Sequence, residues 1–243
     1  MTAIIPIQDG IRAYLVKTCN GKYYHQYLKE SRIDHYKYPL GTASGVAEHD
    51  LFYTMKKQDL IVMSGYRHQR VMLGVLEDSA PTLKVRWLQE VMTSRLPQLY
   101  PYLYRKTPVC DISAMLPALI RHVYACFAYD GQYHLVVQVE QERPIRLKSL
   151  LGLEKLVLDE AKGKPLAIKV QLESPGLIEF ISEHRDVILS IFRLILILLQ
   201  FKAKREVKKE YQALYDLYCR YSLDELQLNV RKTVKFSKND DNG

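Results

Sequence analysis

Residues 59–91, DLIVMSGYRHQRVMLGVLEDSAPTLKVRWLQEV, decide how the chain folds. Their apolar positions fall into three short runs, 59–64, 69–77 and 82–91. Two polar breaks separate them, Gly65-Tyr66-Arg67-His68 and Asp78-Ser79-Ala80-Pro81. Short apolar runs bounded by turn formers predict β-strands joined as hairpins. The spacing predicts a meander that closes into a curled sheet or small barrel, with the basic, aromatic first break at its rim.

Upstream, 12–18 predicts an opening strand and Asn20-Gly21 a turn. Residues 22–31 have helical spacing, with Tyr23, Tyr27 and Leu28 on one side. A second strand is expected at 33–38 and a small-residue loop at 41–45, and 49–55 leads into the meander. Strand, helix and meander make an α+β module over residues 1–95. Residues 96–110 carry Pro97, Pro101 and Pro108 among Tyr100, Tyr102 and Tyr104, and read as a linker with one helical turn.

Residues 111–176 read as an α/β unit. A helix is expected over 111–129, kinked or divided at Pro117. A turn at Asp130-Gly131 leads to a strand at 133–139, a helix at 147–161 and a strand at 166–173. That order fits a βαβ unit or half of a split one. After Ser174-Pro175-Gly176 a long helical region is expected over 177–221, within an assembly region at 177–228, and 229–243 reads as a frayed polar, basic tail. The fold class is therefore α+β.

The formal net charge of +8 favours acidic partners, either nucleic acid or an anionic membrane surface. Cys19, Cys110, Cys126 and Cys219 form no CxxC pair and lie at no zinc-finger spacing, so free thiols in a reducing cytosol are expected. The stretch MTAIIPIQDGIR has no basic region followed by a long apolar run, so no signal peptide is expected and the chain reads as cytoplasmic. No GxGxxG, GK[ST] or HExxH motif and no serine-hydrolase signature occurs. His122 and His134 read as structural. Glu160-Ala-Lys162 has a nuclease-like spacing, but it closes a helix with Asp159 adjacent. No catalytic residue, metal or cofactor is expected.

The loop at 66–70 is the candidate binding site. Arg67 and Arg70 can neutralise phosphates, Tyr66 can stack on a base, and Gln69 can read a base edge beside His68. Trp87 is a second candidate stacking group, with a place in the sheet core as the competing reading. For the loop itself the competing reading is a solvated hairpin turn.

The apolar run at 187–201, VILSIFRLILILLQF, is shorter than the about 20 residues a bilayer span needs and contains Arg193. It reads as a buried or oligomer-forming helix. A stripe of Val207, Tyr211, Leu214, Tyr215, Tyr218 and Tyr221 repeats at helical spacing beyond the basic patch at 202–209. Ile191, Ile195, Leu198, Tyr211, Tyr215 and Tyr218 are the candidate oligomer contacts, with a homo-oligomer or a protein partner expected.

RAYLVKTCNGKYYHQYLKES, followed by MKKQDLIVM, QRVMLGVLED and LKVRWLQEV, resembles the PUA-like group that includes EVE-type domains. The resemblance implies a curled β-sheet over the first 95 residues. It also implies recognition of modified bases or nucleotides, as at the front of bacterial restriction and defence proteins. The chain lacks the early tryptophan of such domains, so no binding residue is carried over. The second half is similar to uncharacterised bacterial proteins with a strand, an SPG-type turn and a long helix. The expectation is a non-enzymatic nucleic-acid or nucleotide sensing or adaptor protein, in bacterial anti-phage defence. The alternatives are a membrane-associated effector using the 187–201 helix and a nuclease without a recognisable motif.

Overall fold

A computed structural model describes residues 4–33, 50–79, 83–105, 107–139, 145–171, 176–203 and 207–230. The chain divides into two units, Gln8–Val123 and Met1–Ile7 with Tyr124–Gly243. Strand β1 (Ile5–Pro6) belongs to the second.

The first unit holds β2 (Ala13–Lys17), α1 (Tyr24–Glu30), β3 (Arg32–Ile33), β4 (Leu60–Ser64), β5 (Arg70–Leu76) and β6 (Leu83–Met92). The helical turns 93–95 and 97–99, α2 (Tyr100–Leu103), β7 (Val109–Asp111) and α3 (Leu116–Val123) follow. The meander expected at 59–91 is β4, β5 and β6, antiparallel and consecutive. The six-stranded sheet runs β3-β6-β5-β4-β2-β7, with β2 and β4 parallel. Between β5 and β6 the register shifts from Leu73 opposite Gln89 to Gly74 opposite Trp87, which leaves Leu88 as a bulge. Bulges bend and twist a strand, which accounts for the curl. A Cβ on Gly74 would lie 2.6 Å from Val85 Cγ1 and 2.8 Å from Trp87 Cε3, so only glycine admits β6 there. Tyr14, Val16, Ile61, Met63 and Leu83 form part of one buried cluster under this sheet.

Residues 96–110 are not a linker. Leu96, Leu99 and Leu103 are buried, and β7 pairs antiparallel with β2. Pro97 and Pro101 stand in the first turn of the short helices they open. No intrahelical N–H is needed there, so proline starts a helix as readily as it ends one. The Ala13 amide donates to Ser113 Oγ at 3.1 Å and the Ile112 amide to the Ala13 carbonyl at 2.8 Å, so the chain past β7 is still bonded into this unit, which ends at Val123. The strand expected at 33–38 begins as β3; its remainder, the 41–45 loop and the tail from 231 lie outside the described residues.

In the second unit β8 (Cys126–Tyr129) and β9 (Gln132–Val139) form a hairpin across Asp130 (φ 51°) and Gly131 (φ 72°). Two residues at positive φ match the twist of a tight hairpin. The helix expected to run to 129 therefore stops at Val123, and the apolar run beyond it is a strand. Then come α4 (Leu147–Ala161), β10 (Ala167–Gln171), β11 (Gly176–Ser182), α5 (Arg185–Ala203), α6 (Gln212–Arg220) and β12 (Leu228–Asn229). The sheet order is β1-β8-β9-β11-β10, with β12 also on β9.

Strand β11, expected as helix, lies between β9 and β10 and is antiparallel to both. Strands β9 and β10 thus run parallel with one strand between them, the split form of βαβ, with α4 as the crossover. All seven residues of β11 are buried, and a short apolar run without polar alternation does not separate strand from helix. Leu135, Val137, Leu153, Phe180 and Ile188 are in the core of this unit.

Ile191, Ile195 and Leu198 are in that same core, at 0%, 0% and 2% exposure. Their apolar surface is covered within the unit and needs no second chain. Tyr218 is buried and Tyr215 half-buried, ring centroids 5.5 and 5.3 Å from Phe201, and half-buried Tyr211 packs on the cluster. Among the described residues, no helix is long and apolar enough to cross a membrane.

Candidate nucleic-acid interface

Because β2 and β4 are parallel, both release their loops at the same edge of the sheet. The loop after β2 covers residues 18–23 and the one after β4 covers 65–69. Thr18 Oγ1 donates to the Ser64 carbonyl at 2.6 Å and accepts from the Gly21 amide at 3.1 Å. Asn20 Oδ1 accepts from the Arg67 amide at 3.0 Å. Cys19, Asn20 and Gly21 have φ of 50°, 56° and 90°, and Arg67 and His68 have 49° and 55°. Two runs of left-handed backbone therefore pack together, a costly arrangement of the kind that concentrates at binding sites. The contact is close: a Cβ on Gly21 would lie 2.9 Å from Tyr66 Cα.

The turn following β6 holds the other side of the loop. Thr93 donates its amide to the Gln69 carbonyl at 3.0 Å and its hydroxyl to the His68 carbonyl at 2.5 Å. This ties the segment 93–105 to the rim. Tyr66 is 58% exposed, with the Arg67 guanidinium 5.1 Å above its ring centroid. Tyr104, 74% exposed, meets His68 edge-on at 6.0 Å and stacks with Tyr100 at 6.4 Å. Lys17 Nζ donates to the Arg105 carbonyl, and the Arg105 guanidinium lies 4.8 Å over Tyr102. Lys22 lies 5.2 Å over Tyr23 on the neighbouring loop. The rim thus alternates cations with open aromatic faces.

His68 is half-buried, and its Nδ1 has no hydrogen-bond partner among the described residues. Burial first, then the nearby Lys17 charge, pushes its pKa below the ordinary 6.5, so the ring is neutral at pH 7.

Of the residues singled out from sequence, Tyr66, Arg67, His68 and Gln69 share this rim. Arg70 does not act with them, because its Nη1 pairs with Glu90 Oε2 at 2.8 Å. Tyr24 donates its hydroxyl to the other Glu90 oxygen at 2.8 Å. Hydrogen bonds from Arg70 and Tyr24 hold the Glu90 carboxyl below its usual range. Trp87 lies opposite Gly74, four residues along β5 from Arg70 and so about 13 Å from the rim. Its indole donates to the Tyr27 carbonyl at 3.1 Å. Lys17, Lys22, Tyr100, Tyr104 and Arg105 were not legible as site residues, although the tyrosine cluster at 100–104 was an available signal.

Glu160-Ala-Lys162 closes α4, with Lys162 left-handed at φ 52°. Among the described residues no group of three or more His, Cys, Asp or Glu side chains is placed to hold a metal ion. No protein-family model, curated protein or solved structure matches the chain.

Proposed function

We propose that the first unit binds unpaired nucleic acid or a nucleotide at the 17–22, 66–69 and 100–105 rim, as a non-enzymatic sensing or adaptor module. The observation that carries this reading is the pairing of exposed Tyr66 with Arg67 and of Tyr102 with Arg105, beside exposed Tyr104, at one loop edge. Stacking of a base on an aromatic ring contributes about 1–3 kcal/mol, and it needs a base already out of a duplex stack. Cations beside the ring neutralise the phosphates that accompany that base. A duplex hides its base faces, so the tyrosines favour single strands, loops or free nucleotides. A place in bacterial anti-phage defence is supported by the resemblance of residues 12–91 to PUA-like and EVE-type domains.

The test is fluorescence anisotropy of the full chain with single-stranded and duplex oligonucleotides of one sequence. Preference for the single strand is expected, with Tyr66→Ala plus Tyr104→Ala weakening binding by at least about tenfold. Absence of binding by the wild type, or unchanged binding by the double variant, would overturn the proposal.

A further inference from the structure

Three cations of the first unit are seated on rings rather than on acids. Lys22 Nζ lies 5.2 Å over Tyr23, the Arg67 guanidinium 5.1 Å over Tyr66 and the Arg105 guanidinium 4.8 Å over Tyr102. All three are exposed, and none has a carboxylate partner among the described residues. Arg70 on the adjoining strand is the contrast, neutralised by Glu90 at 2.8 Å. The segments 17–23, 65–69 and 93–105 carry Lys17, Lys22, Arg67, Arg95 and Arg105 and no Asp or Glu. Like charges gathered without acids repel one another until an anion arrives. The open rings also stand apart. Tyr104 stacks on Tyr100 and meets His68 edge-on, and among the described residues Tyr66 makes no ring contact with Tyr104.

We infer that the rim takes a single strand of several nucleotides rather than one free nucleotide, an inference that rests on the nucleic-acid reading above. Each nucleotide of a strand brings one base and one phosphate. The rim offers three unneutralised cations and two separate open rings, more than one such unit can use. A strand sets successive phosphates on Lys22, Arg67 and Arg105 and lays bases on Tyr66 and Tyr104. A nucleoside triphosphate meets the charges but brings one base to two rings. A polyanion without bases leaves both rings idle. At 58% and 74% exposure Tyr66 and Tyr104 stand on an open surface, whereas a small ligand is held in a cleft that buries most of it. An acid-free surface with stacking rings is the arrangement that tracks a strand along its backbone.

The experiment is competition against a labelled octathymidylate bound to the full chain, read by anisotropy. The competitors are thymidine triphosphate, a thymidylate tetranucleotide and inorganic polyphosphate. The tetranucleotide should compete at least about tenfold better than the triphosphate, because it brings a base to the second ring. It should also compete better than polyphosphate. Octathymidylate affinity should fall with salt at a logarithmic slope of magnitude about 2, three phosphate contacts at about 0.7 each. Lys22→Ala and Arg105→Ala should each remove one contact from that slope, and both side chains are exposed, so the fold is retained. The losses from Tyr66→Ala and Tyr104→Ala should multiply in the double variant, whereas two rings closing on one base would make the double no worse than either single. A triphosphate or polyphosphate that competes as well as the tetranucleotide would overturn the inference alone. So would a slope left unchanged by Lys22→Ala or by Arg105→Ala, or tyrosine losses that do not multiply. Failure of the octathymidylate itself to bind would overturn the nucleic-acid reading and this inference together.

Discussion

Among the described residues of the unit Gln8–Val123, the large apolar side chains left exposed are Tyr53, Tyr66, Met92, Tyr100 and Tyr104. Among the described residues of the other unit, Met1–Ile7 with Tyr124–Gly243, they are Leu147, Leu151, Leu158, Val170 and Leu196. Tyrosine tolerates this position because its hydroxyl stays wet while the ring offers a flat face. Leucine and valine have no such polar end, and only removal from water stabilises them. The first set suits a ligand that comes and goes, with cations already beside the rings. The second suits a protein surface that stays covered. The difference separates a unit whose exposed rings fit the proposed recognition from one whose exposed side chains are aliphatic.

The largest effect that bears on this division is expected in the core of α5. Ile195→Ala should lower stability by about 2–5 kcal/mol, since the side chain is wholly buried. Leu196→Ala, one position along and partly exposed, should change it by less than about 0.5 kcal/mol. Urea melts of the two variants check this, and equal effects would mean that α5 presents a different face to the sheet. Next in size is Gly21→Val. It forces a side chain into left-handed backbone and against Tyr66, which should cost about 1–3 kcal/mol and weaken oligonucleotide binding as well. Normal binding by this variant would detach the 18–23 loop from the rim.

The parts of the fold that were legible had local signals. Strands β4 to β6 have apolar runs cut by turn residues, and α4 has its 3.6-residue period, so both stand where the sequence places them. Strands β8 and β11 were hidden because CFAY and GLIEFIS lack the polar alternation that marks a half-buried strand. Their burial comes from partners far along the chain. The prolines at 97 and 101 predict a connection with one helical turn, whereas they open two short helices packed into the first unit, so that unit does not end at residue 95. A fragment ending there would leave the outer edge of β2 without β7. Half the rim was legible for the same reason that half was not. Residues 66–69 are adjacent in sequence, whereas Lys17 and Tyr104 reach them only through the parallel pairing of β2 with β4 and through the Thr93 hydrogen bonds.

Smaller effects separate the rim from its surroundings. Trp87→Phe should cost about 0.5–1.5 kcal/mol through the lost hydrogen bond to the Tyr27 carbonyl. It should leave oligonucleotide affinity unchanged, and a binding titration of the variant would detect any stacking role. Smaller still is Arg70→Ala, which breaks a largely exposed ion pair worth at most about 1 kcal/mol. Glu90 has a depressed folded pKa, so its contribution is present above the ordinary value of 4.5 and fades as pH falls through the folded value. Arg70→Ala should therefore flatten the acid limb of a stability-against-pH curve. An acid limb unchanged in the variant would show that Tyr24 alone holds the carboxylate.

The central claim, that Arg67 meets phosphate while Arg70 serves the sheet, is tested most directly by the salt dependence of binding. Affinity for a single-stranded oligonucleotide would be measured against salt concentration for the wild type, Arg67→Ala and Arg70→Ala. Each phosphate contact contributes about 0.7 to the logarithmic slope on single strands. The account predicts that Arg67→Ala lowers the slope by about that amount and that Arg70→Ala leaves it in place. Equal loss in both variants, or a wild type whose binding ignores salt, would contradict it.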